Sequence, residues 1–363
     1  MEVNVAAGVP WNELMLQDSL QGSMEVFIEF IKQGQMDSRD HMGSTLLHLV
    51  ARSGNVEKVE KLLEHGASTF LKDLHGLLPL HVASIHGHAK IVQLLLNKGC
   101  DVNVSSDAKL TPLHCAAQNG KSEVVRLLLQ NGASLDPQNC YSQTPLMLAV
   151  CESHEEVVRL LVEAGSDLFV RDKTSMSIFH LAVVKSSSVC LQILLEKVKS
   201  GRLLDLTNIH GMSPFHSALM KLINQRDSYN EMLEKLKMLI KAGTSPRPQQ
   251  VSRSFHMKKS AHDLQTLVMI GNVDAVSLIL QVNSRKNILK EVSSVSSELN
   301  GGRIQSASKD MAGLLQSYVS NVDRLQHLCR MVIRDNMDPG NQNICQLPLP
   351  QNLKNYVAFS DLC

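Results

Sequence analysis

The chain has 363 residues, with 36 Lys+Arg against 35 Asp+Glu and a net charge of +1, so bulk charge makes no case for nucleic acid or an anionic membrane as a partner. Aromatic residues make up only 4%, which disfavours a β-sandwich and suits stacked helices rich in Leu, Val and Ala. No apolar run is long enough to span a bilayer, no basic and apolar leader opens the chain, and the eight cysteines form no CxxC pair. The expectation is an intracellular protein with reduced thiols, in the cytoplasm with the nucleus also open to it.

Residues 1–36 include "LMLQDSLQGSMEVFIEFIKQG", a worn helical unit expected to cap the N-terminal end of a repeat array. From 37 to 282 the sequence repeats itself. His48, His81 and His114 are spaced by 33 residues, as are Gly66, Gly99, Gly132 and Gly165. Periods of this size mark a solenoid. In "LTPLHCAAQNGKSEVVRLLLQNGA" Thr111 is placed to cap a helix and Pro112 fits its first position, where a missing N–H costs nothing. Leu113, Ala116 and Ala117 then share one face, and Gly120 supplies a left-handed stop. The second helix is expected to bury Val124, Val125, Leu127, Leu128 and Leu129 and to end on Gly132. Neither helix can fold alone; stacking covers the rest, at about 1.5–3 kcal/mol per fully buried Leu or Val. The T-P-L-H-x-A start, the mid-unit Gly and the LLL-x-x-GA finish resemble the ankyrin repeat. One His per unit at a motif position reads as a structural hydrogen-bonding residue and not as a metal ligand, since zinc sites want two such residues a turn apart. His86 and His88 fall within the Gly-His that such repeats carry.

Further along, the pattern wears. The fourth unit has Met147 at the His position and Ser153 at the Gly position; the fifth keeps His180 but loses the Thr-Pro start; the sixth keeps His216 and carries extra residues around "NQRDSYNEM", which predict longer helices or a longer loop. A degenerate unit spans "AHDLQTLVMIGNVDAVSLILQ". With the end units counted, about eight helix-turn-helix units are expected. A Pro-, Gln- and Ser-rich stretch near 243–260 reads as a loop insertion, and 283–318 as a serine-rich linker or a decayed repeat.

The last segment, 319–363, returns to helical period. Leu325, Leu328, Cys329, Val332 and Ile333 fall on one face of a short helix. In "ICQLPLPQNLKNYVAF" Pro348 and Pro350 force Leu347 to Pro350 into an extended strip, after which Leu353 and Tyr356 lie on one helical face. Some 40 residues cannot make a robust core unaided. One reading is a cap on the last repeat; the other is a surface for another protein.

Here the chain resembles a known family, the ankyrin-repeat and SOCS-box proteins. The elongin-binding pattern Leu-xxx-Cys-xxx-apolar is matched by Leu325, Cys329 and Ile333, with Leu328 and Val332 on the same face. The cullin-selecting pattern is matched by Ile344, Leu347, Pro348, Leu349, Pro350, Leu353 and Tyr356. Arg324 departs from the family, which usually has a small or capping residue there. The resemblance implies an all-α fold, an ankyrin solenoid followed by a small helical SOCS box. It also implies a non-catalytic substrate receptor of a ubiquitin ligase, with elongin C and elongin B, cullin-5 and its RING subunit, and a protein substrate as partners. No P-loop, GxSxG or metal constellation occurs, so no catalytic residue, metal or cofactor is expected, nor a nucleic-acid or membrane partner. The competing reading is a plain ankyrin scaffold with a capping tail. For target contacts the expected residues are His75, Lys109, Tyr141, Arg171 and Lys173 at hairpin tips, with Arg52, His86, Gln118 and Glu152 at the ends of the short helices; the exposed aromatic Tyr141 is the strongest of them.

Overall fold

The computed structural model describes residues 24–32, 36–37, 39–198, 204–224, 229–242 and 244, all within one compact unit, Met1–Ser252. The last repeat expected near 261–281, the serine-rich stretch and the whole C-terminal box lie outside the described residues. Among the described residues, thirteen helices occur and no strand, apart from one isolated bridge between Arg171 and Ser177. The all-α expectation holds. The helices are α1 (Met24–Lys32), α2 (Leu46–Ser53), α3 (Val56–Glu64), α4 (Pro79–His86), α5 (Ala89–Asn97), α6 (Pro112–Gln118), α7 (Ser122–Gln130), α8 (Pro145–Cys151), α9 (Glu155–Ala164), α10 (Ile178–Val184), α11 (Ser188–Lys197), α12 (Pro214–Asn224) and α13 (Tyr229–Lys241).

They stack in two layers. The first helices pack in order, α2 on α4, α6, α8, α10 and α12; the second helices do the same, from α1 on α3 through to α13. α1 is thus a second helix that covers α3, with Phe27 and Ile31 buried and the Lys58 ammonium 5.0 Å from the Phe27 ring centroid.

Each first helix starts as its residues require. In α6, Thr111 has extended dihedrals and its Oγ1 accepts from the His114 amide at 3.4 Å. The buried histidines do more. The Thr45 amide donates to His48 Nδ1 at 3.1 Å, and His48 Nε2 lies 3.0 Å from the Leu77 carbonyl of the next repeat. The same pair of bonds recurs at His81 with Leu110, at His114 with Gln143 and at His180 with Met212. Since a backbone N–H only donates and a carbonyl only accepts, Nδ1 is the bare nitrogen and Nε2 carries the proton. Each ring closes a helix start and ties it to the following repeat. No group of residues able to hold a metal occurs among the described residues.

Departures from the pattern have physical substitutes. Met147 is buried and makes no such tie. The fourth and fifth repeats are instead joined by the Ser187 amide donating to Ser153 Oγ at 3.1 Å and by Ser187 Oγ donating to Glu155 at 2.8 Å. α10 has no glycine stop. Carbonyls at its end and just beyond are taken by two lysines of the sixth repeat: Lys221 Nζ donates to Val184, and Lys235 Nζ to Val183 and to Ser186 past the helix. Lys235 is buried and paired with Glu231 at 3.0 Å. The extra residues of the sixth repeat lengthen its helices: α12 has 11 residues and α13 has 13.

One expectation needs correction. In α7, Val124, Val125 and Leu128 are buried, but Leu127 and Leu129 are only half-buried. Three successive leucines point 100° apart around a helix, so a stripe of this width takes in the middle one fully.

Candidate functional site

The hairpins between repeats are turns that their own side chains shape. In five of them the first residue, Asp40, Asp73, Asn139, Asp172 or Asn208, accepts two backbone N–H groups through Oδ1, from the residues two and four places on. In the sixth, Ser106 Oγ accepts from the Leu110 amide at 3.1 Å. The fourth residue of each turn is left-handed: Gly43, Gly76 and Gly211, but also Lys109 (φ 58°), Ser142 and Ser175. Neighbouring tips are then stitched together. Leu74 donates its amide to Met42, Cys140 to Ala108 and Lys173 to Tyr141, each at 3.0 Å; Asp107 donates to His75 at 3.4 Å and Ile209 to Thr174 at 3.2 Å. The tips form one hydrogen-bonded edge along the array.

The five tip residues expected from sequence have different roles on this edge. Tyr141 is 63% exposed, with only its backbone engaged. His75 and Lys173 likewise give their backbones to the stitching and leave their side chains exposed. Lys109 sits at the strained left-handed position. Arg171 is a structural tie, its guanidinium donating to the carbonyls of Ser175 and, in the next hairpin, Thr207. Arg39 and Lys72 reach the next hairpin in the same way, at the Lys72 and Ser105 carbonyls. Arg52, His86, Gln118 and Glu152 are all exposed where the first helices end.

Sequence reasoning missed most of the exposed apolar side chains near these tips. Leu74 is 67% exposed, Ile209 59%, Phe70 64% and Phe169 66%. The signal was present in the register. Phe70 and Phe169 occupy the place where Asp37, Asn103 and Asp136 accept an amide from the next repeat. An aromatic residue in that place forgoes the hydrogen bond and leaves a large apolar group in solvent.

Lys109 offers a clean test of this edge. Lys109→Gly removes the left-handed strain, and the urea midpoint is expected to rise by an amount equal to up to about 1 kcal/mol. A fall in the midpoint shows that the Lys109 side chain supports the turn.

Comparison with known proteins fits this geometry. A family model of ankyrin repeats, in three copies, matches residues 15–106 and 104–172. The structural repetition runs on past that match, through the His180–Met212 tie and α13. A SOCS-box model matches residues 321–358, the span that holds both C-terminal motifs. Among curated proteins, Ankyrin repeat and SOCS box protein 3 of Homo sapiens is 38% identical over 64 residues, 16% of this chain and 12% of that protein. The chain therefore matches only a small part of that relative's length. Histidine-tied helix pairs and the two model matches together show that the chain carries ankyrin repeats and, behind them, a SOCS box.

Proposed function

We propose that the chain is the substrate receptor of a cullin-RING ubiquitin ligase. The observation that carries this reading is the SOCS-box match over 321–358 behind an ankyrin array. Leu325, Leu328, Cys329, Val332 and Ile333 form the face that docks into elongin C, itself paired with elongin B. Ile344, Leu347, Pro348, Leu349, Pro350, Leu353 and Tyr356 contact the cullin, and the two prolines hold the extended strip that selects cullin-5 with its RING subunit. The array holds the target. The mechanism is proximity: the chain brings lysines of its target near a ubiquitin-charged enzyme and supplies no nucleophile or base. Burial pushes the Cys115 thiol up to about 12 and the Cys151 thiol to about 11, so neither is held as a thiolate. Among the described residues no helix is long and apolar enough to cross a membrane.

For target contact, Tyr141, His75 and Lys173 supply exposed side chains on a backbone-fixed edge, so little entropy is lost when a partner docks. Lys109 and Arg171 contribute charge beside them.

The cullin assignment is tested by affinity capture from cells. Wild type is expected to bring down both elongins and cullin-5. Leu347→Asp with Leu349→Asp is expected to keep the elongins and lose cullin-5 at least about tenfold, because two buried carboxylates replace two buried apolar groups. Equal cullin-5 on both baits overturns the assignment.

A further inference from the structure

Four cationic or protonatable side chains meet where the first helices of successive repeats end. Arg52 lies in the last turn of α2 and His86 at the end of α4; His88 follows Gly87, and Lys121 takes the same place one repeat on. Two of them are fixed from beneath. His88 donates from Nε2 to the Arg52 carbonyl at 3.0 Å, and its ring covers Gly54, where a Cβ would collide with Cε1. Lys121 lays its aliphatic stem over Gly87, its Cδ 2.7 Å from where a Cβ would stand. The His86 and His88 rings stack at 6.2 Å and 16°.

The cluster is unbalanced. Burial, then Arg52, His88 and Lys121, hold the His86 imidazole below its usual range, and no carboxylate acts on it from the other side. Several other surface cations do have an acid beside them: Lys72 with Asp107, Arg126 with Glu156, Lys237 with Glu234. None of the four side chains takes part in such a pair among the described residues. Arg52 and Lys121 are the cations of the group and His86 rests neutral beside them, so an anion placed there is attracted by both cations and favours the protonated form of His86. A phosphoryl group suits a cluster this compact, with a charge of about −1.5 to −2 and three acceptor oxygens at one point. A guanidinium can grip it in two places. A net charge of +1 over the whole chain argues against a nucleic-acid backbone, which needs a broad basic track.

We propose that Arg52, His86, His88 and Lys121 form a receptor for a phosphorylated side chain on the protein that the array holds. The proposal rests on the reading of the array as the target-holding half of a ligase receptor. It makes target capture depend on a kinase acting on the target.

The test uses the full chain, three peptide libraries with degenerate flanks, fixed on a central phosphoserine, serine or glutamate, and a single-stranded RNA oligonucleotide. The phosphoserine library is expected to be retained at least about tenfold more than the serine library, less so at high salt, and to be displaced by free phosphoserine. Arg52→Glu with Lys121→Glu is expected to abolish the difference, and the milder Arg52→Gln to weaken it, with melting and elongin capture unchanged. Equal retention of the phosphoserine and serine libraries overturns the proposal. So does retention that survives both variants, equal retention of a library fixed on glutamate, which marks a site for acidic segments, or tighter binding of a single-stranded RNA oligonucleotide. Failure of the wild-type chain to capture elongins bears on the ligase reading alone.

Discussion

Lowering the pH from 7 to 5 is expected to destabilise the ankyrin array by at least about 2 kcal/mol, before most carboxylates begin to titrate. The cause is the histidine ladder. At His48, His81, His114 and His180 a backbone or carbonyl partner occupies each ring nitrogen: Nδ1 accepts an amide N–H and Nε2 faces a carbonyl. A second proton has to go on Nδ1, where it meets an N–H, so the charged form loses a hydrogen bond as well as its hydration. Burial accordingly lowers all four, and takes His81 from 6.5 to about 4. A depressed histidine gives its full stability above the unfolded value. As pH falls through 6.5 the unfolded chain takes up protons first, and stability is lost until the folded value is reached. His81 alone then removes about 2 kcal/mol by pH 5, and the other three act in the same direction. A total of about 5–15 kcal/mol is typical of a folded domain, so the shift is a large part of it. Urea midpoints measured at pH 7 and pH 5 check this. Equal midpoints contradict the assigned tautomers.

Phe179→Ala is expected to cost about 3–5 kcal/mol. Phe179 lies in the first turn of α10, is fully buried and is among the largest core side chains. Its site collapses poorly. The Val184 and Val183 carbonyls at the end of α10 are held by Lys221 and Lys235 from the next repeat, and its start is held by His180. The seam before it has no histidine tie, because Met147 stands in that place. Stacked repeats share stability only with their neighbours, so the loss falls on the fifth and sixth. Hydrogen exchange should quicken across α10 to α13 first and leave α4 to α7 protected. A loss below about 1 kcal/mol, or one spread evenly over the array, contradicts this packing.

The period of 33 fixed most of this architecture in advance, because each unit carries its own start, stop and apolar stripe. Thr111, Pro112 and Gly120 sit where their chemistry required. The ring roles of the histidines could be guessed in kind, but the partners could not, since the carbonyls of Leu77, Leu110, Gln143 and Met212 come from the next repeat. Lys235 was unreadable: a lysine inside "MLEKLKMLIK" looks solvated until the unclosed end of α10 is placed against it. Leu74 and Ile209 were missed because an aliphatic residue beside a turn reads like any core residue, and only the geometry of the tip turns it outward. The charge of Arg171 is visible in the sequence, but its two carbonyl partners, Ser175 and Thr207, come into view only with the fold. At the C-terminus, spacing alone gave a one-sided apolar face and a proline-bound strip; that these form one two-part motif came from the family resemblance, and a SOCS-box model matches the span that holds them.

The ligase reading stands on the docking of the C-terminal box onto elongin C. Isothermal titration of the purified full chain with the elongin B/C heterodimer tests it most directly, with Leu325→Asp, Cys329→Asp as the comparison and a matched melting curve as the control for folding. Wild type is expected to form a saturable one-to-one complex. The variant is expected to bind at least about a hundredfold more weakly, since two carboxylates would be buried unpaired. Wild-type protein that gives no heat of binding, or a variant that binds as tightly as wild type, contradicts the reading.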